Sequence, residues 1–88
     1  MRNRESQQEK ALRDLLKNRR LELGFSQRDL AANRGFPHTY ISKYETGERY
    51  LTFTEVLLLC RYLNLNAHDV LDKILSVSPE GQGISSSD

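Results

Sequence analysis

The stretch Gln27-Arg-Asp-Leu-Ala31-Ala-Asn-Arg-Gly35-Phe-Pro-His38-Thr-Tyr-Ile41-Ser-Lys-Tyr44-Glu45 decides the fold. Two short helices crossing at a steep angle need a small residue where they touch. They also need a residue tolerant of left-handed backbone where the chain reverses, and a β-branched apolar residue that packs the second helix onto the first. Ala31, Gly35 and Ile41 supply these at the fifth, ninth and fifteenth positions counted from Gln27. Leu30, Phe36 and Tyr44 fill the other apolar positions of the unit. Matches at so many fixed offsets are far more specific than one glycine.

Outward from this unit, the helix signals continue on both sides. Ser6-Gln-Gln-Glu9 is a capping-box pattern, and Leu12, Leu15, Leu16 and Leu23 follow at helical spacing until Gly24, so a first helix is expected there. Ser26, with Asp29 three residues on, caps a second helix of about two turns. Pro37 suits a helix start, so the third helix runs from His38 to about Thr46 and stops at Gly47. Thr52-Phe-Thr-Glu55 is a second capping box. It opens a fourth helix whose Phe53, Val56, Leu57, Leu59, Cys60 and Leu63 make it apolar almost all round, as expected of a central buried helix. Asn66 caps a fifth helix over Ala67 to Leu75, with Asp69 in its first turn. No segment alternates like a strand.

Eighty-eight residues make one small domain, near the lower limit of what a core stabilises without disulfides or metal, so oligomerisation is expected. The single cysteine, Cys60, excludes an internal disulfide, and no Cys/His spacing suggests a zinc site, so neither metal nor cofactor is expected. Cys60 reads as a small core residue, and His68 as exposed on the last helix. No apolar run reaches the roughly 20 residues of a membrane span, and the polar start lacks a secretory pattern; a cytoplasmic protein is expected. The organisation predicted is a flexible arm over 1–5, one domain over 6–76, and a disordered tail over 77–88, rich in Ser, Gly, Pro and Gln. Arg2 and Arg4 lie in the arm, either along a partner or simply unstructured.

Net charge is only +1, but it is unevenly spread. Residues 1–49 hold eleven Lys/Arg against seven Asp/Glu, while 50–88 hold two against five, which suggests a basic working face and an acidic remainder.

The segments Gln27-x-x-x-Ala31-x-x-x-Gly35, Tyr40-Ile41-Ser42-Lys43-Tyr44-Glu45 and Gly47-Glu-Arg49, with the preceding Arg20-Leu-Glu-Leu-Gly24-Phe-Ser run, resemble the Cro/repressor (xenobiotic-response-element, XRE) family of phage and bacterial regulators. The likeness covers roughly Leu12 to Leu75. It implies an all-α, compact five-helix repressor-like DNA-binding domain with a helix-turn-helix. The implied function is a homodimeric transcriptional regulator, a repressor in the first instance, laying its third helix in the major groove of a partly palindromic operator.

The resemblance also assigns roles. His38, Thr39 and Lys43 match base-reading positions, Gln27 a phosphate contact, and Thr46 and Arg49 the loop that grips the backbone. Arg20 and Glu45 look like the family's interior ion pair. Tyr50 and Leu51 depart from the pattern, where a base and a proline are common.

Helical geometry independently puts His38, Thr39, Ser42 and Lys43 on one polar side of the third helix, with Ile41 and Tyr44 inward. Gln27 sits where free amides and the helix dipole favour phosphate, and Arg28 beside it is grouped with the phosphate contacts. Tyr40 either reaches a phosphate through its hydroxyl or covers the second helix. Val70, Leu71, Ile74, Leu75 and Val77 form an apolar excess that either makes a dimer interface or packs on the fourth helix.

Two other functions compete. An antitoxin-type module holding a protein partner, docked through the tail after Ser76, would still bind DNA; one stoichiometric partner in a pull-down would favour it. An enzyme such as a nuclease is not expected, because no acidic pair or His/Cys constellation accompanies the motif.

Overall fold

The computed structural model describes residues 6–34 and 37–77, and within these the side chains of residues 33, 34 and 38 are left aside. Five helices follow one another: α1 (Gln7–Glu22), α2 (Gln27–Arg34), α3 (His38–Thr46), α4 (Phe53–Tyr62) and α5 (Ala67–Leu75). No strand occurs among the described residues. The all-helical, five-helix expectation holds.

The starts of α1, α2, α4 and α5 are each fixed by a local side chain, whereas α3 follows Pro37 with no side-chain cap. Ser6 Oγ accepts from the Glu9 amide at 3.0 Å. Ser26 and Asp29 bond each other's backbone reciprocally, Asp29 N–H to Ser26 Oγ at 2.9 Å and Ser26 N–H to Asp29 Oδ2 at 3.0 Å. Thr52 and Glu55 form a full capping box on α4, and Asn66 Oδ1 accepts from the His68 and Asp69 amides. Every such bond satisfies an amide that the helix itself leaves open.

Three ends share one device. The 6→1 and 5→2 bonds of a Schellman turn appear as Phe25 N–H to Arg20 O with Gly24 N–H to Leu21 O, and as Glu48 N–H to Lys43 O with Gly47 N–H to Tyr44 O. A third set pairs Leu65 N–H with Cys60 O and Asn64 N–H with Arg61 O. Gly24, Gly47 and Asn64 stand at the left-handed positions, with φ of 80°, 88° and 57°. Arg19 reinforces the third turn, its Nε donating to Leu63 O at 2.9 Å near the negative end of α4.

The core joins Leu16, Leu30, Ala31, Tyr40, Ile41, Tyr44, Leu59, Cys60, Leu63 and Val70. α2 packs on α3, α1 lies against both α3 and α5, and α4 meets α5. Tyr44 ties the layers together through its hydroxyl, which donates to Leu12 O at 3.3 Å. Cys60 is buried, and burial pushes its thiol pKa up.

α4 is not the helix buried on all sides that its composition suggests. Leu59 and Cys60 are enclosed, but Phe53 is 72% exposed and Leu57 lies on the same open side. Five short helices bury one apolar stripe of α4; among the described residues, nothing covers its second stripe. At the C-terminal end of α5, Gln8 Nε2 donates to Ile74 O and Val77 O, both at 3.2 Å. Gly35, Phe36, the arm over 1–5 and the tail from 78 to 88 lie outside the described residues.

Candidate nucleic-acid interface

The outer side of α3 is set by what holds its inner side. Ile41 and Tyr44 are buried, so Thr39 and Lys43 stand exposed and Ser42 half-buried on the opposite flank. The His38 side chain lies outside the described residues. Lys43 brings three donors and a full charge, and Thr39 and Ser42 bring short hydroxyls that donate or accept, a set suited to base edges and phosphates alike.

Glu45 locks the helix pair. Arg20 Nε donates to Glu45 Oε2 at 2.7 Å and Arg20 Nη2 to Oε1 at 3.0 Å, while Gln27 Nε2 donates to the same Oε1 at 2.9 Å. Arg20 Nη1 reaches Phe25 O at 2.6 Å. One carboxylate thus ties α1, the start of α2 and the end of α3 into a single unit. The fork geometry of guanidinium on carboxylate fixes orientation as well as distance.

Gln27, which the resemblance assigns to a phosphate, has a partner within the chain. One of its two amide hydrogens is engaged inward on Glu45, and the residue is half-buried. The start of α2 also carries its own counter-charge, the Asp29 carboxylate on the Ser26 amide. The Ser26 backbone N–H, with help from its hydroxyl, holds the Asp29 carboxyl below the usual range. Arg28 is exposed beside it.

Tyr40 is buried, and its hydroxyl is closed off from solvent in the free chain. Burial first, then the neighbouring Glu55, push its pKa up to about 12. The Arg49 guanidinium covers the ring at 4.5 Å from its centroid. Arg49 Nη2 in turn donates to Glu55 Oε2 at 3.1 Å. Thr46 Oγ1 donates to Lys43 O at 3.0 Å and stays exposed. Tyr50, where the pattern favours a base, is exposed.

The five apolar residues at the C-terminal end divide. Val70 is buried in the core, Ile74 packs against it, and Val77 is half-buried with its carbonyl engaged by Gln8. Only Leu71 and Leu75 are exposed, the latter at 66%. They are joined by Phe53 and Leu57 of α4. Leu71, Phe53 and Leu57 line a groove of about 320 Å³ with Val56, His68 and Ile74.

Sequence reasoning misses Phe53 and Leu57 as surface residues, and Glu55 as a partner of Arg49. The signal for the first two is the second apolar stripe on α4, one more than a two-sided helix needs. For Glu55 the sequence carries only the capping box.

Among the described residues, no group of three or more His, Cys, Asp or Glu is arranged to hold a metal ion, and no helix is long and apolar enough to cross a membrane.

The family model described as helix-turn-helix matches residues 16–70. Among solved structures, the chain is similar to an XRE-family like protein from Pseudomonas syringae pv. tomato str. DC3000, with 35% identity over 78% of this chain and 84% of that one, at a TM-score of 0.73. It is also similar to the wild-type restriction-modification controller protein C.Esp1396I, with 29% identity over 82% of this chain and 95% of that one, at a TM-score of 0.71. The same controller protein has been solved as a tetramer in complex with its natural 35 base-pair operator, and that structure matches with the same identity, coverage and TM-score. No curated protein matches the sequence significantly.

Proposed function

Because this chain belongs to the helix-turn-helix family, in its XRE type, we propose that it is a transcription regulator that binds a partly palindromic operator as a homodimer. In this reading α3 enters the major groove, and occupancy of the operator represses transcription. The observation that carries the reading is the outer flank of α3. Thr39, Ser42 and Lys43 face away from the core on a helix whose position is fixed by the Glu45 carboxylate. A reader of base edges needs both side chains that donate and accept and a rigid frame behind them. The operator-bound controller protein, at 29% identity, supports DNA as the partner.

His38, Thr39, Ser42 and Lys43 read bases in this proposal. Arg28, Thr46 and Arg49 contact the backbone, while Gln27 serves first as the joint between α2 and α3. The homodimer forms through Leu71 and Leu75 together with Phe53 and Leu57, and sets two recognition helices about 34 Å apart on the DNA. Selection of bound duplexes from a random pool tests the proposal. Enrichment of one inverted repeat with half-sites about one helical turn apart is the expected result; a pool that stays random after several rounds at physiological salt removes it.

A further inference from the structure

Arg49, assigned above to the DNA backbone, already has an anion in the free protein. Its guanidinium is stacked on Tyr40 and donates to Glu55 Oε2 at 3.1 Å. Glu55 is anchored without Arg49: its Oε1 accepts from the Thr52 amide at 2.9 Å, and its own amide donates to Thr52 Oγ1 at 3.2 Å. The two partners are therefore unequal. The carboxylate belongs to the start of α4, whereas the Arg49 side chain is a long tether, 41% exposed.

We propose that Glu55 sets the affinity for DNA, as a resident carboxylate that occupies Arg49 in the free protein and yields it to a backbone phosphate on binding. The inference rests on the DNA-binding reading above. Carboxylate and phosphate offer a guanidinium equivalent pairs of oxygen acceptors, so one Nη2 donor serves one or the other. The exchange strands nothing, because the Thr52 amide keeps Glu55 satisfied after Arg49 leaves. The Tyr40 ring gives the guanidinium a face to pivot on. An ion pair this exposed is weak and screened by salt, so Glu55 tunes binding rather than blocking it.

Glu55→Gln is the informative change, since glutamine also serves a capping box. Binding of the full chain to its selected duplex and to a scrambled one is measured at low and physiological salt. Four proteins are compared: the parent, Glu55→Gln, Arg49→Ala and the double variant. Glu55→Gln is expected to tighten both duplexes by about two- to five-fold, with the gain shrinking as salt rises. In the Arg49→Ala background the same change should yield clearly less. An equal gain in both backgrounds overturns the proposal, since removal of any negative charge would then explain it; so does no gain or a loss. A second readout uses the unaltered protein. Nuclear magnetic resonance should show the Arg49–Glu55 contact without DNA and lose it when scrambled duplex is added, and a contact that persists in the complex also overturns the proposal. If the parent binds neither duplex, the DNA-binding reading itself falls.

Discussion

Arg20 and Glu45 meet through two parallel hydrogen bonds of 2.7 and 3.0 Å, with side chains only 7% and 4% exposed. Such a pair is expensive to desolvate, and its value lies in geometry: two charges with matching forks admit one arrangement of α1 against α3. Gln27 adds a third arm to the same carboxylate.

Breaking the pair from one side strands the other charge. Glu45→Ala leaves Arg20 with only Phe25 O and removes the acceptor of Gln27, so stability should fall by about 3–5 kcal/mol. For a domain of this size that is a drop of roughly 12 °C or more in Tm. Replacing both charges, as in Arg20→Met/Glu45→Leu, should recover most of the stability while leaving α3 less well oriented and DNA binding weaker. Thermal unfolding and duplex binding on the two variants separate these outcomes; a Glu45→Ala Tm within a degree or two of the parent contradicts the buried pair.

Acid should weaken the helix starts. The Thr52 backbone N–H, with Tyr40 and Arg49, holds the Glu55 carboxyl below the usual range, and the Ser26 backbone N–H does the same for Asp29. Both groups bind protons less readily folded than unfolded. Their contribution is therefore complete above the ordinary carboxylate range, about 4, and is lost as pH falls through their lowered folded values. Titration of the two carboxyl carbons by nuclear magnetic resonance should place both midpoints below those of a short unfolded peptide. Midpoints at or above the peptide values would contradict the caps.

The helix limits are legible in the sequence because their causes are local. Ser6, Thr52 and Asn66 act on amides two or three residues away, and Gly24 and Gly47 are chosen by backbone conformation alone. Asn64 escapes notice because asparagine tolerates a left-handed turn without requiring one. The site residues are less legible where tertiary contacts decide. Gln27 looks like a free first-turn residue until Glu45, far along the chain, claims one of its donors. The choice Tyr40 leaves open depends on Arg49 and Glu55, which arrive from another loop and another helix. Composition shows that α4 is apolar almost all round, but not which part of it the rest of the chain covers.

Reading and gripping should separate by mutation. Lys43→Ala or Thr39→Ala should cost about 1–3 kcal/mol on the selected operator and relax preference at one base position, with less effect on scrambled DNA. Arg49→Ala should weaken both duplexes by similar factors, because phosphate contacts carry no direct sequence information. It should also flatten the slope of log K against log salt by up to about 0.9, the full value holding only if Glu55 takes up no cation when Arg49 leaves. If Lys43→Ala and Thr39→Ala both leave the ratio of operator to scrambled affinity unchanged, α3 is not the reader.

The apolar residues at the C-terminal end should divide into two classes that one experiment distinguishes. Leu75 is 66% exposed and Phe53 72%, so Leu75→Glu or Phe53→Ser removes little from the core of a single chain. In a twofold dimer the same residues meet their copies, and a charge there is repeated across the axis. Val70 is buried between α5 and the rest of the core, so Val70→Ala should cost roughly 2 kcal/mol of folding stability whatever the oligomeric state. Sedimentation at several concentrations, paired with thermal unfolding at low concentration, reads both quantities. The expected pattern is a dimer for the parent and a folded monomer for Leu75→Glu and Phe53→Ser. Val70→Ala should remain a dimer with a lowered Tm, because its loss leaves the exposed face intact. Operator binding should follow the oligomeric state, since a monomer addresses one half-site and forfeits the gain from joining two. A parent that sediments as a monomer at high micromolar concentration, or a Leu75→Glu variant that stays dimeric, would move the interface away from this face.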